Sequence, residues 1–250
     1  MSLEFLAPDA VTAFNGSAPL ARSPMERDTR AAGARFEARD GWNVAVSYGV
    51  PDDEAGVASR TAGWADVSHL GKLEVQAGAD DLAAIVRDVT GGARLDFGRA
   101  TRALDAWWCP LTAERAVVIC EPAALPVLRQ RLEEAAEAAR QRASIVEVTS
   151  VFAAMTIVGP LSREVFARFC ALDLRPQALP IGGLRPGSIA RQPGLLVHEA
   201  QDRFLFLFGW AVAHYMWTVV DDAGRHLGGI PIGVDALGVV EAPEPEVSRA

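Results

Sequence analysis

The side chains able to do chemistry are few in this sequence, and they do not gather into one familiar constellation. Asp66, Ser68 and His69 stand together in the run Asp66-Val67-Ser68-His69-Leu70-Gly71. At that spacing Asp66 and Ser68 suit the capping of neighbouring backbone groups. His69 suits the bracing of a strand-to-strand turn, and Gly71 a positive φ or close packing. Asp105 is a lone carboxylate just ahead of the pair Trp107-Trp108; taken alone these read as a solvated turn and as core aromatics at a strand end. Cys109, Cys120 and Cys170 have no C-x-x-C spacing, and the four histidines form no H-E-x-x-H pattern, so no metal site is expected. Gly182-Gly183 and Gly228-Gly229 are isolated pairs rather than a G-x-G-x-x-G fingerprint and lend little support to a dinucleotide site.

Composition narrows the classes further. With 250 residues, half of them hydrophobic, the chain can bury one large core or two small, closely packed ones. A net charge of −8 argues against a general nucleic-acid surface, which needs clustered Lys and Arg. The odd set of cysteines reads as reduced thiols. Residues 1–20 show neither a basic leader nor a sustained apolar core. The longest apolar stretch, Phe204 to Trp217, is interrupted by Gly209 and His214 and is too short to span a bilayer. A cytoplasmic protein with no nucleic-acid or membrane partner is expected.

These residues must be positioned by an α+β arrangement. Residues 1–24 read as a loose lead-in. Asp40-Gly41 between two alternating apolar runs predicts a hairpin over Ala34 to Ser47. A helix is expected over Asp52 to Ala62, capped by Asp52 or Asp53. From Trp64 the chain states one pattern twice. Asp66-Val67-Ser68 leads to a strand at Leu73 to Val75, then Gly78 and a helix with Leu82, Ile85, Val86 and Val89. About 81 positions on, Glu147-Val148-Thr149 leads to Met155 to Val158, Gly159 and a helix with Val165, Phe166 and Phe169, with Pro160 expected as its first residue. Strands Val117 to Cys120 and Phe204 to Phe208 precede helices Leu125 to Arg140 and Ala211 to Asp222. Leu132 to Arg142 reads as a solvated helix face. Apolar residues on both faces of Phe204 to Phe208 predict a central, doubly buried strand. The expected organisation is two α+β halves related by a pseudo-twofold axis, residues 25–143 and 144–237, followed by a flexible tail over 238–250.

The run from Ala62 through Gly63-Trp64-Ala65-Asp66-Val67-Ser68-His69-Leu70-Gly71-Lys72 to Val75 resembles the signature of the glycine-cleavage T-protein (aminomethyltransferase) family, with Leu70 in place of its usual methionine. Ser23-Pro24, Gly41-Trp42, Thr156-Ile157-Val158-Gly159-Pro160 and Gly228-Gly229-Ile230-Pro231-Ile232-Gly233 extend the resemblance over roughly residues 22 to 237. It ends there, without the family's C-terminal barrel. This short form is similar to the gamma subunit of heterotetrameric sarcosine oxidases.

The resemblance implies a tetrahydrofolate cavity in which a one-carbon unit is moved from an aminomethyl group. It places Leu70, Trp107, Trp108 and Asp202 among the cofactor-binding candidates, with Trp107 and Trp108 able to stack on a pterin, and leaves Asp105 as the nearest candidate catalytic acid. Three polar positions of the family depart here. The paired acids near Asp105 are missing, Leu205 stands where a glutamate should pair the pterin's amino edge, and Asp235 stands where an arginine is expected. The reading that follows is a non-catalytic, gamma-type subunit of a flavin- and folate-using amine-demethylating oxidase. Its partners would be alpha, beta and delta-type chains that hold the flavin, with no cofactor bound by this chain alone. The alternative is a tetrahydrofolate-dependent aminomethyltransferase or demethylase.

Overall fold

The structure, a computed structural model, describes residues 19–139 and 142–240. Most of the expected lead-in, Arg140, and the expected tail from 241 onward lie outside the described residues. The hairpin forms as expected: β2 (Arg35–Arg39) and β3 (Trp42–Ser47) pair antiparallel. Their turn residues Asp40 and Gly41 both take positive φ, 46° and 79°. Where a loose lead-in was expected, β1 (Ala21–Arg22) adds to β3 in parallel, and α1 (Glu26–Ala31) follows. Helix α2 (Pro51–Ala58) is started by Pro51 in its first turn rather than by an aspartate cap. Glu54 on that helix turns back instead, and Oε1 accepts the backbone N–H groups of Tyr48 and Gly49 at 2.7 Å each.

The repeat is visible in the element order. The first unit runs β4 (Gly63–Asp66), β5 (Gly71–Ala77), α3 (Ala79–Thr90), β6 (Thr101–Ala103), β7 (Ala106–Thr112), β8 (Arg115–Cys120) and α4 (Leu125–Ala138). The second runs β9 (Ala143–Glu147), β10 (Phe152–Val158), α5 (Ser162–Ala167), β11 (Leu184–Ile189), β12 (Gln192–Ala200), β13 (Arg203–Gly209) and α6 (Ala213–Arg225). β14 (Ile230–Pro231) and α7 (Val234–Val239) close the described chain. Pro160 lies ahead of α5 rather than on it. Gly159, at φ 102°, fills a turn where a Cβ would collide with the Thr61 and Ala58 carbonyls, and Pro160 continues that turn.

Each unit gives its first strand away. The sheet order is β6-β7-β8-β5-β9 in one five-stranded sheet and β11-β12-β13-β10-β4-β14 in a six-stranded one. β9 therefore completes the first unit's sheet and β4 the second's. The exchange is braced reciprocally: the Ala154 N–H donates to Ser68 Oγ at 3.1 Å, and the Lys72 N–H donates to Thr149 Oγ1 at 3.1 Å. The Val67 N–H bonds the Ala154 carbonyl and the Val148 N–H the Lys72 carbonyl, at 3.0 and 2.8 Å. Both sheets are open, so no barrel closes among the described residues.

β13 is central, as its apolar faces require, pairing β10 on one side and β12 on the other. Phe204, Phe206 and Phe208 pack with Val165, Phe166, Met216 and Trp217 of α5 and α6. Leu205 and Leu207 face the other way, into the core shared with Val117 and Ile119 of β8. Leu73, Val75 and Trp108 join α3 and α4 in a third core. Gly71 belongs to close packing: a Cβ there would lie 2.5 Å from Leu125 Cδ1.

Candidate functional site

A cavity of about 360 Å³ opens where the two sheets meet. β7 and β8 supply Trp107, Ile119 and Cys120; β10 and β13 supply Thr156 and Leu205; α7 supplies Val234 and Leu237. The turn between β4 and β5 brings His69 and Leu70, and the β2–β3 turn brings Arg39 and Asp40 to the rim.

Among the residues singled out from sequence, the structure brings Leu70, His69, Asp105 and Trp107 to this one space. Asp105 sits in the β6–β7 turn, where Leu104 and Asp105 both take positive φ, 52° and 54°. Trp108 is not there. Alternation along β7 turns it to the opposite face, where it is fully buried and its Nε1–H donates to the Ala103 carbonyl at 3.0 Å. Asp202 is also elsewhere. It occupies the β12–β13 turn and accepts from Arg163 Nη1 at 2.9 Å. Asp66 and Ser68 lie buried beneath the cavity turn, with the Ser68 N–H donating to Asp66 Oδ1 at 2.9 Å. Burial pushes the Asp66 carboxyl above the usual range. His69, expected to brace its turn, instead faces the cavity, and burial together with the charge of Lys72 holds its pKa down to about 4, so the ring is neutral.

Three residues not singled out from the sequence govern the site. The first is Glu199. β12 and β13 pair His198 with Phe204 but Ala200 with Arg203, which leaves Glu199 as the extra residue of a β-bulge. Bulges re-aim side chains, and this one sends the Glu199 carboxylate into the cavity. The second is Arg203. Glu199 Oε1 accepts from Trp107 Nε1 at 2.8 Å and Oε2 from Arg203 Nε at 3.2 Å, while Arg203 Nη1 reaches the Leu237 carbonyl at 3.1 Å. The third is Lys72, wholly buried, whose ammonium donates to the carbonyls of Ser68 and Leu70 at 3.0 and 2.7 Å. It thereby holds the turn that presents His69 and Leu70. Burial pulls its pKa down to about 7, with Asp66 opposing the shift. A lysine on a strand already marked as core was the available signal.

On the far rim, Arg102 lies over the Trp107 ring, its Cζ 5.3 Å from the centroid. Arg39 pairs with Asp235 at 2.6 Å, so the aspartate that replaces an expected arginine is the partner of an arginine on the facing hairpin. Among the described residues no group of His, Cys, Asp and Glu is arranged to hold a metal ion. No helix there is long and apolar enough to cross a membrane.

A family description, the GCVT N-terminal domain, matches residues 25–242. The chain belongs to that family. An aminomethyltransferase of Moorella thermoacetica is 25% identical over 235 residues, covering 88% of this chain and 62% of that protein. An aminomethyltransferase of Bordetella parapertussis is 39% identical over 71 residues, 28% of this chain and 19% of its own length. The chain thus spans less than two thirds of the curated relatives it matches. In fold it is similar to the glycine cleavage system aminomethyltransferase T of Bartonella henselae, with a TM-score of 0.70 and 16% identity over 87% of this chain and 60% of the other. It is similar also to a chain of the heterotetrameric sarcosine oxidase of Corynebacterium sp. U-96, with a TM-score of 0.64 and 18% identity over 84% of this chain and 97% of the other.

Proposed function

We propose that this chain is a gamma-type subunit of a heteromeric amine-demethylating oxidase, and that it does no chemistry itself. The observation that carries this reading is the state of Glu199. Each of its two oxygens already holds a donor of this chain, Trp107 or Arg203. Leu205, on the neighbouring strand, offers the same cavity only an apolar side chain. The family implies tetrahydrofolate, and the residues present do not fit it in the usual way. A pterin's donor edge would meet Leu205, and leaving such a buried donor unmet costs about 1–3 kcal/mol. The likeness in fold adds support, since it extends over 97% of the sarcosine oxidase chain. In this reading the flavin resides on alpha, beta or delta-type partners, and this chain shapes the assembly.

Anaerobic calorimetry with tetrahydrofolate tests the reading. No heat and no thermal stabilisation are expected. Binding in the micromolar range, about −8 kcal/mol, would overturn it. That result would favour the second reading, a folate-dependent aminomethyltransferase or demethylase, whose support is that Asp105, Trp107, His69 and Leu70 share one cavity. In that case Asp105→Ala should slow one-carbon transfer about 100-fold or more, and unchanged transfer would remove Asp105 as its acid.

A further inference from the structure

The loop joining α3 to β6 carries Phe97, which at 75% exposure is the most exposed large apolar side chain of the described residues. The loop is nonetheless pinned. The Ala100 N–H donates to the Gly182 carbonyl at 2.8 Å, the Leu184 N–H to the Gly98 carbonyl at 2.9 Å, and Thr101 Oγ1 to the Arg94 carbonyl at 3.0 Å. Arg99 and Gly183 form a bridge between loop and sheet, and Ile181 beside it is 46% exposed. A loop already pinned loses little backbone freedom when a partner covers the aromatic it carries, which is the usual character of an interface anchor.

The charges around Phe97 have the same bias. Residues 91–102 contain Arg94, Arg99 and Arg102 against the single acid Asp96, in a protein whose net charge is −8. Arg185 joins them, donating to the carbonyls of Gly98, Leu184 and Ala178. None of these four arginines forms an ion pair among the described residues. A surface that desolvates these guanidinium groups must bring its own acceptors. A second copy of this chain docking through the same patch would set arginine against arginine. A free phosphate ligand would answer the guanidinium groups but leave Phe97 in water.

We propose that Phe97 and Ile181, rimmed by Arg94, Arg99 and Arg185, form a docking surface for another polypeptide that presents carboxylates around an apolar recess. Resting on the subunit reading, that polypeptide is a flavin-bearing chain of the oxidase.

The test is co-expression of the full chain with the flavin-bearing oxidase chains of its own organism, followed by affinity measurement on the purified components. The wild-type chain should form a flavin-containing complex whose affinity falls as salt rises. Phe97→Ser combined with Arg99→Glu should weaken it about 30-fold or more, the scale of a hot spot. Phe97→Ser alone, which removes a side chain already in water and keeps the fold, should account for much of that loss. Val127→Ser, on the exposed face of α4, should change nothing. A complex equally tight with the Phe97 and Arg99 variants would overturn the docking surface and leave the subunit reading intact. No complex with the wild-type chain would overturn the subunit reading, and the docking surface with it. Patch-dependent self-association, or patch-dependent binding to phosphatidylglycerol vesicles, would overturn the proposed partner.

Discussion

Glu54 ties together two segments distant in sequence, and its removal should be felt at the cavity. The side chain is buried; Oε1 accepts the Tyr48 and Gly49 N–H groups at 2.7 Å each, and Oε2 accepts the Gly233 N–H at 2.8 Å. Gly233 is the residue that starts α7, which places Val234 and Leu237 on the cavity wall. A hydrogen bond to a charged group contributes about 1.5–3 kcal/mol, so three would total about 4.5–9 kcal/mol if they were independent. They share one carboxylate, and water can reach some of the freed donors, so Glu54→Ala is expected to cost about 3–5 kcal/mol. Glu54→Gln keeps one acceptor but turns an N–H towards an N–H, and about 2 kcal/mol is expected. Urea unfolding at neutral pH reads both values. Hydrogen exchange adds a local test: the Gly233 amide should exchange faster in Glu54→Gln than amides of β13, whose pairing is untouched. A loss below about 1 kcal/mol in Glu54→Ala would refute the clamp, since charge-assisted bonds to three backbone donors, one of them buried, cannot be worth so little.

Lys72 predicts a pH dependence. Its pKa is about 7 in the fold against an ordinary 10.5, so between those values the unfolded chain binds more protons. Stability attributable to this group therefore rises from pH 7 to pH 10.5 and is lost as pH falls across that window. The wild-type stability measured against Lys72→Met should climb by up to about 1.4 kcal/mol per pH unit there, and a flat difference would show that the ammonium is not held as described. Two glycines should separate by what a Cβ meets. In Gly233→Ala it would overlap the Val46 carbonyl and backbone, which cannot move aside, so loss of soluble protein is expected. In Gly71→Ala it meets the Leu125 side chain, which can shift, and thermal unfolding should show a cost of about 1–3 kcal/mol.

Much of the local architecture is legible in the sequence. Asp40-Gly41 specified its hairpin because the two turn residues must take positive φ, and the five apolar residues Phe204 to Phe208 specified a central strand because both faces needed cover. The repeated order of strands and helices was likewise legible, since it rests on short-range periodicity. The cavity was legible only in part. Leu70, His69, Asp105 and Trp107 reach it, but alternation alone does not say which face of β7 is the cavity face, and that choice excludes Trp108. The exchange of β4 and β9 between sheets was hidden because a strand's partner is chosen by long-range backbone pairing, here fixed by the Ser68 and Thr149 hydroxyls across the two units. Glu199 was hidden for a related reason. A bulge shifts register by one residue, and that shift, set only when β12 pairs with β13, turns a carboxylate into the cavity beside Trp107 and Arg203.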